Sequence, residues 1–324
     1  MKTIAVTPSA DITAMLSGTM PEAAVMRFFE ENEKNKITPE ELAGAVKAVQ
    51  NICTKIDLPT NVIDTCGTGG SGMKTINTST LTAFIVAAAG GQVAKHGNRS
   101  ASGNCGSFDL LERLGAKIDL TVDEEQRIFD RLGIVLLFAR THHPAMRHVA
   151  AARKSFGKPT IFNLIGPLAN PAGVRHQMIG TPTAEKAMLI AKTLTLLGKE
   201  SSLVVRGKDG LDEVTVCDTT EIFAVPTGTH SLFSPTEIDI ALEAPQAIVG
   251  GTTEENTKIF RALASGEGTT AHQSLVLLNA AFALTLTPLA KTVAEGFALA
   301  RETLASGKVK TLIEDYIRLT HEPS

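Results

Sequence analysis

Residues 67–72, GTGGSG, place four glycines within six positions, between an apolar run and a helix-like run. Glycine lets backbone N–H groups turn inward and close around an anion. Thr75, Ser79 and Thr80 add hydroxyl groups near the start of the following helix, where negative charge is favoured. Lys95, in the stretch KHGNRS, would add a positive charge. These residues predict a phosphate or pyrophosphate site. For the loop alone, the alternative is a tight turn before a capped helix.

Two other phosphate-binding loops have nearly the same glycine pattern. GTGGSG satisfies the dinucleotide fingerprint G-x-G-x-x-G, which also needs an acidic residue about 20 residues later to hold ribose hydroxyls. Lys95 and His96 stand in that neighbourhood, and their charge favours further phosphate. A P-loop needs lysine directly after its last glycine, where this sequence has Met73. The sequence therefore disfavours both alternatives.

The composition limits the classes of partner. The chain has 324 residues, 43% hydrophobic and 20% charged, with a net charge of -3 and no basic block. With 13 Phe, 1 Tyr and no Trp, it offers few aromatic platforms for stacking bases. This argues against a binder of nucleic acid or of a membrane surface. The apolar stretches near residues 81–94 and 274–290 are interrupted by polar residues, Gly or Pro, and predict buried helices.

Cysteine usage and the N-terminal residues bear on the compartment. The four cysteines are far apart and form no C-x-x-C pair, so they fit reduced thiols better than a disulfide framework or a zinc site. The stretch MKTIAVTPSAD breaks its apolar run with Thr, Pro and Ser, which a signal peptide would not do. We expect a cytoplasmic protein.

The order of predicted elements indicates an α/β protein with a mostly parallel central sheet. Residues 10–56 look helical, and from residue 62 onward short apolar strands alternate with helices. Ligands of such sheets bind at the carboxyl ends of strands, where GTGGSG, KHGNRS and RGKDGLDE all fall. Residues 144–170 are helical and then broken by Gly and Pro. We expect a helical domain of residues 1–61, joined by 144–170, and an α/β domain of residues 62–324.

Longer motifs resemble a known family over essentially the whole chain. DTCGTGGSG, KHGNRSASGNCGSFDLLERLG, HPAMRHVAAARKSFGKPTIFNLIGPLANP, GKDGLDEVT and LNAAFAL are similar to motifs of the anthranilate phosphoribosyltransferases. The resemblance implies the nucleoside-phosphorylase-like phosphoribosyltransferase fold, usually as a homodimer. It also implies transfer of the phosphoribosyl group from phosphoribosyl pyrophosphate (PRPP) to the amine of anthranilate, with two magnesium ions, in tryptophan biosynthesis.

The resemblance carries the family's functional residues onto matching positions of this sequence. It implies that PRPP is bound by Gly67, Thr68, Gly69, Gly70, Ser71, Gly72, Thr75, Asn77, Ser79, Thr80, Lys95 and Ser107. It implies that magnesium is bound by Ser79, Asp212 and Glu213. It implies that anthranilate is bound by His96, Asn98, His143, Arg153, Gly166 and Pro167.

The residue types agree with these roles. Carboxylates such as Asp212 and Glu213 suit Mg²⁺, although DGLDE alone would fit an exposed acidic turn equally well. The guanidinium of Arg153 matches a benzoate-type carboxylate in two places, and its alternative is a surface arginine. His96 and His143 could orient the aromatic amine, but a lone histidine is more often structural. No general base is assigned, because an aniline nitrogen is already neutral at pH 7 and proximity is enough.

The chain departs from the family's usual residues on the phosphate side. Ser71 stands where the family usually has Asp, and Gly103, Asn104 and Cys105 replace Ser, Lys and Ser. We expect weaker PRPP binding or an altered dependence on magnesium. Two other functions remain open: a pyrimidine-nucleoside phosphorylase of the same fold, and a non-catalytic relative that binds nucleic acid through a basic groove.

Overall fold

A mostly parallel sheet forms the centre of the computed structural model, which describes residues 6–100 and 105–323. The strands of the described chain are β1 (Ile63–Gly67), β2 (Val93–Gly97), β3 (Ile134–Phe138), β4 (His176–Gly180), β5 (Ser201–Gly207), β6 (Thr220–Val225) and β7 (His230–Phe233). Their order is β3-β2-β1-β4-β5-β6-β7. The first five in this order are parallel, and β6 and β7 run antiparallel to their neighbours. The predicted fold class is confirmed.

Helices cover the sheet and form the N-terminal part of the chain. In the described ranges they are α1 (Ala10–Leu16), α2 (Glu22–Lys34), α3 (Pro39–Ile52), α4 (Thr78–Ala88), α5 (Ser107–Leu114), α6 (Val122–Leu132), α7 (Ala139–His142), α8 (Arg147–Phe156), α9 (Ile161–Leu168), α10 (Ala184–Leu196), α11 (Thr253–Ala264), α12 (Thr270–Leu284), α13 (Val293–Ala305) and α14 (Lys308–Thr320). Several begin with a Thr that accepts a hydrogen bond from the third helical residue, as Thr38 does from the N–H of Glu41.

The strand order creates a switch point beside β1. From β1 the chain moves to β2 and then β3 on one side, and it returns to β4 on the other side. Crevices at the carboxyl ends of strands at such a point are where open α/β sheets bind ligands. The glycine loop leaves β1 at this point.

Helix α4, which follows the glycine loop, lies in the interior. Leu81, Phe84 and Ile85 are fully buried, and the helix packs on β1, α12 and α14. Its apolar character on all sides fits this position, because a helix without a polar face has no side for water. The N terminus of α4 is therefore held firmly behind the loop.

The N-terminal helices pack against the segment that follows β3. The ring centroid of Phe29 in α2 lies 5.5 Å from that of Phe156 in α8 and 6.2 Å from that of Phe162 in α9. The same hydrophobic cluster continues through Ile190 of α10 to Val204 of β5. The division into domains at residue 61 stays a prediction. Among the described residues, no helix is long and apolar enough to cross a membrane.

Candidate active site

A cavity of about 1210 Å³ lies at the carboxyl ends of β1 and β2. All residues assigned to PRPP or magnesium in the sequence analysis line it, from the glycine loop and the start of α4 to Asp212 and Glu213. Of the residues assigned to anthranilate, His96, Asn98 and Arg153 line it as well. The fold thus brings together segments that are far apart in sequence.

The glycine loop has a backbone that side-chain-bearing residues rarely adopt. Gly69, Gly70 and Gly72 have φ angles of 66°, 85° and 73°. A Cβ added at any of the three would have no described atom within 4 Å apart from those of the glycine and its two chain neighbours. These positions therefore require glycine for its backbone conformation, and not because a side chain would lack room. Their exposure leaves the loop backbone open to the cavity.

The first turn of α4 lines the same cavity with Ser79 and Thr80. Asn77 precedes the helix, and within the described chain its side chain makes no capping hydrogen bond to the first turn. The amide of Asn77 instead donates to the carbonyl oxygen of Cys105 at 2.9 Å. An uncapped N terminus with hydroxyls from Ser79 and Thr80 suits an anion.

Lys95 places a buried positive charge beside this helix start. It is 2% exposed and lies in the middle of β2. Its ammonium donates to the carbonyl oxygen of Thr65 and, at 3.2 Å, to the hydroxyl of Ser79. Because these two bonds fix the ammonium, the charge lies at one defined point of the cavity wall.

Two carboxylates face the loop from the segment after β5. A Cβ added at Gly67 would lie 3.1 Å from Oδ2 of Asp212. Asn279 of α12 holds the following residue at both backbone atoms: it accepts from the N–H of Val214 at 3.0 Å and donates to its carbonyl oxygen at 2.8 Å. Burial and the neighbouring Asp212 carboxylate raise the pKa of Glu213 to about 8. A cation would relieve this repulsion.

The donor set is incomplete for a metal ion held by protein alone. Within the described ranges, no group of three His, Cys, Asp or Glu side chains could hold an ion. Two carboxylates and a hydroxyl do fit Mg²⁺, which takes few protein ligands and completes its shell with substrate phosphates and water. Asp212, Glu213 and Ser79 line one cavity with the phosphate-type loop and therefore pass this test.

Two buried histidines lie together at the cavity wall, which His96 lines and behind which His143 packs. The rings of His96 and His143 meet edge to face with centroids 5.0 Å apart. Burial lowers the pKa of His143 to about 4 and that of His96 well below its usual value, and the charge of nearby His142 adds to both shifts. Nε2 of His96 and both ring nitrogens of His143 have no hydrogen-bond partner among the described residues. Both rings are therefore neutral.

Arg153 reaches the cavity from the last turn of α8. Its guanidinium lies 5.6 Å from the ring centroid of Phe162 and 3.4 Å from Oδ1 of Asn163. Burial lowers its pKa from the usual value, but an arginine still stays charged. Nη2 donates to Asn163, and the other N–H donors of the guanidinium can bind an anion in the cavity that Arg153 lines.

Three anthranilate assignments lie behind the wall. His143 packs on His96, and the carbonyl oxygen of Pro167, next to Gly166, accepts from Nε2 of Gln177 at 3.1 Å. None of His143, Gly166 and Pro167 is among the cavity-lining residues of the described chain. Of the family departures, Ser71 and Cys105 line the cavity, whereas Gly103 and Asn104 lie outside the described residues.

The sequence analysis missed other polar side chains of the wall. These are Lys74, Thr78, Arg99, Ser100, Lys154, Lys158, Asn163 and Asn256. Lys74, Arg99 and Lys154 adjoin motifs already recognised, and their charge was a signal that could have found them. Asn256 on α11 gives no such signal, because only the packing of α11 brings it to the cavity. With Lys95 and Arg153, these cations outnumber the two acids and favour anionic ligands.

Comparison with known proteins gives one family. Residues 59–310 match the family described as glycosyl transferase family, a/b domain. The anthranilate phosphoribosyltransferase of Rubrobacter xylanophilus is 39% identical over 310 residues, which cover 95% of this chain and 90% of that protein.

Solved structures agree in fold over the same length. The anthranilate phosphoribosyltransferase of Thermus thermophilus superposes with a TM-score of 0.91 at 34% identity, covering 96% of this chain and 94% of that one. The Saccharomyces cerevisiae enzyme, solved in complex with PRPP and Mg, has a TM-score of 0.87 at 27% identity, covering 95% and 90%. The yeast enzyme has also been solved in complex with 4-fluoroanthranilate. Since the identity extends over nearly the whole chain and the fold matches throughout, this chain belongs to the anthranilate phosphoribosyltransferase family.

Proposed function

We propose that this chain transfers the 5-phosphoribosyl group of PRPP to the amine of anthranilate. The bond from C1 of the ribose to the pyrophosphate oxygen breaks, and a bond from C1 to the anthranilate nitrogen forms. Pyrophosphate leaves with the bonding electrons, and the nitrogen loses a proton to solvent. The proposal rests on one observation: the glycine loop, the acid pair and Arg153 all line the same cavity.

The glycine loop and the start of α4 would hold the phosphate groups. Backbone N–H groups of the loop and the uncapped first turn present fixed dipoles, and Lys95 adds a fixed charge. Negative charge grows on pyrophosphate as its bond to C1 lengthens. Dipoles that are already oriented toward that charge stabilise the transition state more than the ground state.

Ser79, Asp212 and Glu213 would hold magnesium together with the phosphates of PRPP. When bound there, the ion supplies a Lewis acid for the leaving pyrophosphate. We propose two ions, as in the family resemblance. The protein's own contribution is a pair of carboxylates at the cavity wall, followed by Val214, whose backbone Asn279 holds at both its N–H and its carbonyl oxygen.

The anthranilate end would rely on orientation. Arg153 would bind the carboxylate, and the neutral rings of His96 and His143 would pack beside the aromatic amine without repelling a cationic ribose. The amine already carries a free electron pair at neutral pH, so holding it near C1 is sufficient. No side chain of this chain is assigned as a general base.

A fluorescence assay tests the proposal. Anthranilate emission is followed with purified protein, PRPP and Mg²⁺, with and without a chelator. We expect the emission to fall only when PRPP and Mg²⁺ are both present. A wild-type protein that leaves anthranilate unchanged at high enzyme concentration would contradict the transfer reaction, and nucleosides with phosphate would then be screened.

Variants of the acid pair test the metal assignment in the same assay. We expect Asp212→Asn combined with Glu213→Gln to abolish turnover at every Mg²⁺ concentration, since both hard ligands are lost. Asp218→Asn is the matched control, because this carboxylate lies on the same segment and does not line the cavity. Full activity of the double variant would remove the acids from the metal site.

The oligomeric state, the compartment and the domain division are part of the proposal. We propose a cytoplasmic homodimer, with residues 1–61 as a helical domain beside the α/β domain. The family resemblance supports the homodimer, and the widely spaced free cysteines support the cytoplasm. Sedimentation analysis of the purified protein decides the oligomeric state.

A further inference from the structure

A buried carboxylate, Asp64, lies at the centre of a polar network behind the cavity. It is the second residue of β1, is 0% exposed and does not line the cavity. Oδ1 accepts from the backbone N–H of His96 at 3.2 Å. Oδ2 accepts from the amides of Asn170 at 2.9 Å and Gln177 at 3.2 Å. Asp64 thus joins three separate segments of the chain.

The two amide partners of Asp64 also donate hydrogen bonds to segments that contain residues assigned to anthranilate. Gln177 uses the same amide nitrogen to donate to the carbonyl oxygen of Pro167 at 3.1 Å. Asn170 also donates to the carbonyl oxygen of Ala94 at 2.8 Å, two residues before His96. The last turn of α9, which contains Gly166 and Pro167, and His96 are therefore held relative to one carboxylate.

The network needs a carboxylate at its centre. A carboxylate only accepts hydrogen bonds, and every group that faces Asp64 donates. Burial raises the pKa of Asp64, and the charge of Lys95 with the three hydrogen bonds opposes that shift. A buried charge of this kind is costly to retain and is weak grounds for stability alone. Its partners point to a role in geometry.

We propose that Asp64 is a positioning residue that holds His96 directly, and the last turn of α9 through Gln177, in register for anthranilate. This inference rests on the proposed transferase function. The phosphate end has separate supports, namely the loop glycines and the start of α4. Loss of the network therefore affects the two substrates unequally.

Gln177→Leu tests the link between the network and the turn. Leucine fills a similar volume, removes the donor to Pro167 and leaves the bonds from Asn170 and His96 to Asp64 in place. We expect the KM for anthranilate to rise about tenfold, as for one lost hydrogen bond, and the KM for PRPP to change less than twofold. Thr320→Val is the control, since it removes the part-buried hydrogen bond that the Thr320 hydroxyl accepts from the N–H of Lys117, and neither residue lines the cavity.

Asp64→Asn tests the centre of the network without relying on turnover. An asparagine has one acceptor oxygen where the carboxylate had two, so the N–H of His96 or an amide partner loses its bond. We expect the backbone amide resonance of His96 to move in the proton–nitrogen NMR spectrum, and that of Gly166 to move in Gln177→Leu. Thr320→Val should move neither resonance.

The outcomes separate this inference from the proposed function. A wild-type protein that does not consume anthranilate overturns the proposed function, and the two resonances still decide whether Asp64 and Gln177 position the wall. Unmoved resonances overturn the inference. Equal changes in both KM values, with the melting temperature lowered as in Thr320→Val, also overturn it, because the network would then serve stability only.

Discussion

Single cations of the cavity differ in how they recognise anions. Lys95 is a buried point charge fixed by a carbonyl and a hydroxyl, which suits a phosphate oxygen from any direction. Arg153 is a planar fork stacked on Phe162, which suits the two parallel oxygens of a carboxylate. The spacing of KHGNRS after the glycine loop pointed to Lys95 from sequence alone. Arg153 needed the resemblance, because tertiary packing of α8 brings it to the cavity.

Arg153→Ala is expected to weaken anthranilate binding selectively. Two charge-assisted hydrogen bonds are lost, so the KM for anthranilate should rise roughly 10- to 100-fold while the KM for PRPP stays within about twofold. Arg153→Lys is the control, since it keeps the charge without the planar fork. Its KM for anthranilate should lie between those of the wild type and Arg153→Ala. Steady-state kinetics with each substrate varied in turn gives both constants. An equal rise in the two KM values would show that Arg153 is not the carboxylate ligand.

Elements were predictable where pattern and environment agree. From residue 62 onward the expected alternation of short strands with helices is confirmed, because β1, α4, β2, α5, α6 and β3 follow one another around the glycine loop. Strand β4, HQMIG, was missed although it lies in the middle of the sheet. Gln177 interrupts its apolar pattern because this position serves the polar network around Asp64. A buried polar contact of this kind has no local sequence signature.

The metal-binding part of the site depends on close packing between strand β4 and the segment that carries Asp212. Gly180, the last residue of β4, packs directly on the backbone of Asp212, and an added Cβ would overlap the carbonyl oxygen. We expect Gly180→Ala to displace the acid pair and to raise the Mg²⁺ concentration for half-maximal activity about tenfold, at a cost of roughly 1–3 kcal/mol of stability.

A second glycine provides the control for this prediction. Gly296 of α13 packs on the backbone of Ala281 in α12, away from the cavity, and an added Cβ there would also collide with a carbonyl oxygen. Gly296→Ala should lower the melting temperature without changing the Mg²⁺ requirement. If both variants change the requirement alike, the close packing of β4 on Asp212 does not set the metal site.

At the scale of the whole molecule, the buried pair of His142 in α7 and Glu125 in α6 forms a joint with the segment that leads from α3 to β1. Nδ1 of His142 lies 2.7 Å from the carbonyl oxygen of Thr54, in the segment that leads from α3 to β1. Nε2 lies 3.0 Å from Oε1 of Glu125 in α6. Both ring nitrogens face acceptors, so the geometry requires a protonated ring. Burial opposes this, but the hydrogen bond and charge of Glu125 raise the pKa of His142 above its usual value.

The sign of the pH dependence follows from these shifts. Burial also raises the pKa of Glu125, against the effect of His142. For both groups the folded state binds its proton more tightly than the unfolded chain, whose values are near 4.5 and 6.5. The stabilisation is therefore present in full below these unfolded values and is lost as the pH rises through the folded values. The pair should contribute less at pH 8 than at pH 6.

Glu125→Gln measures that contribution. The variant leaves a neutral buried ring, so we expect it to lower the free energy of unfolding by roughly 2–3 kcal/mol at pH 6 and by about 1 kcal/mol less at pH 8. Urea unfolding at the two pH values gives both numbers. Tyr316→Phe is the control, because it removes the hydrogen bond from the N–H of Leu136, which involves no group that titrates in this range. Its cost should be equal at the two pH values. A cost of Glu125→Gln that is also equal, or larger at pH 8, would mean that the joint is held by neutral hydrogen bonds and not by charge.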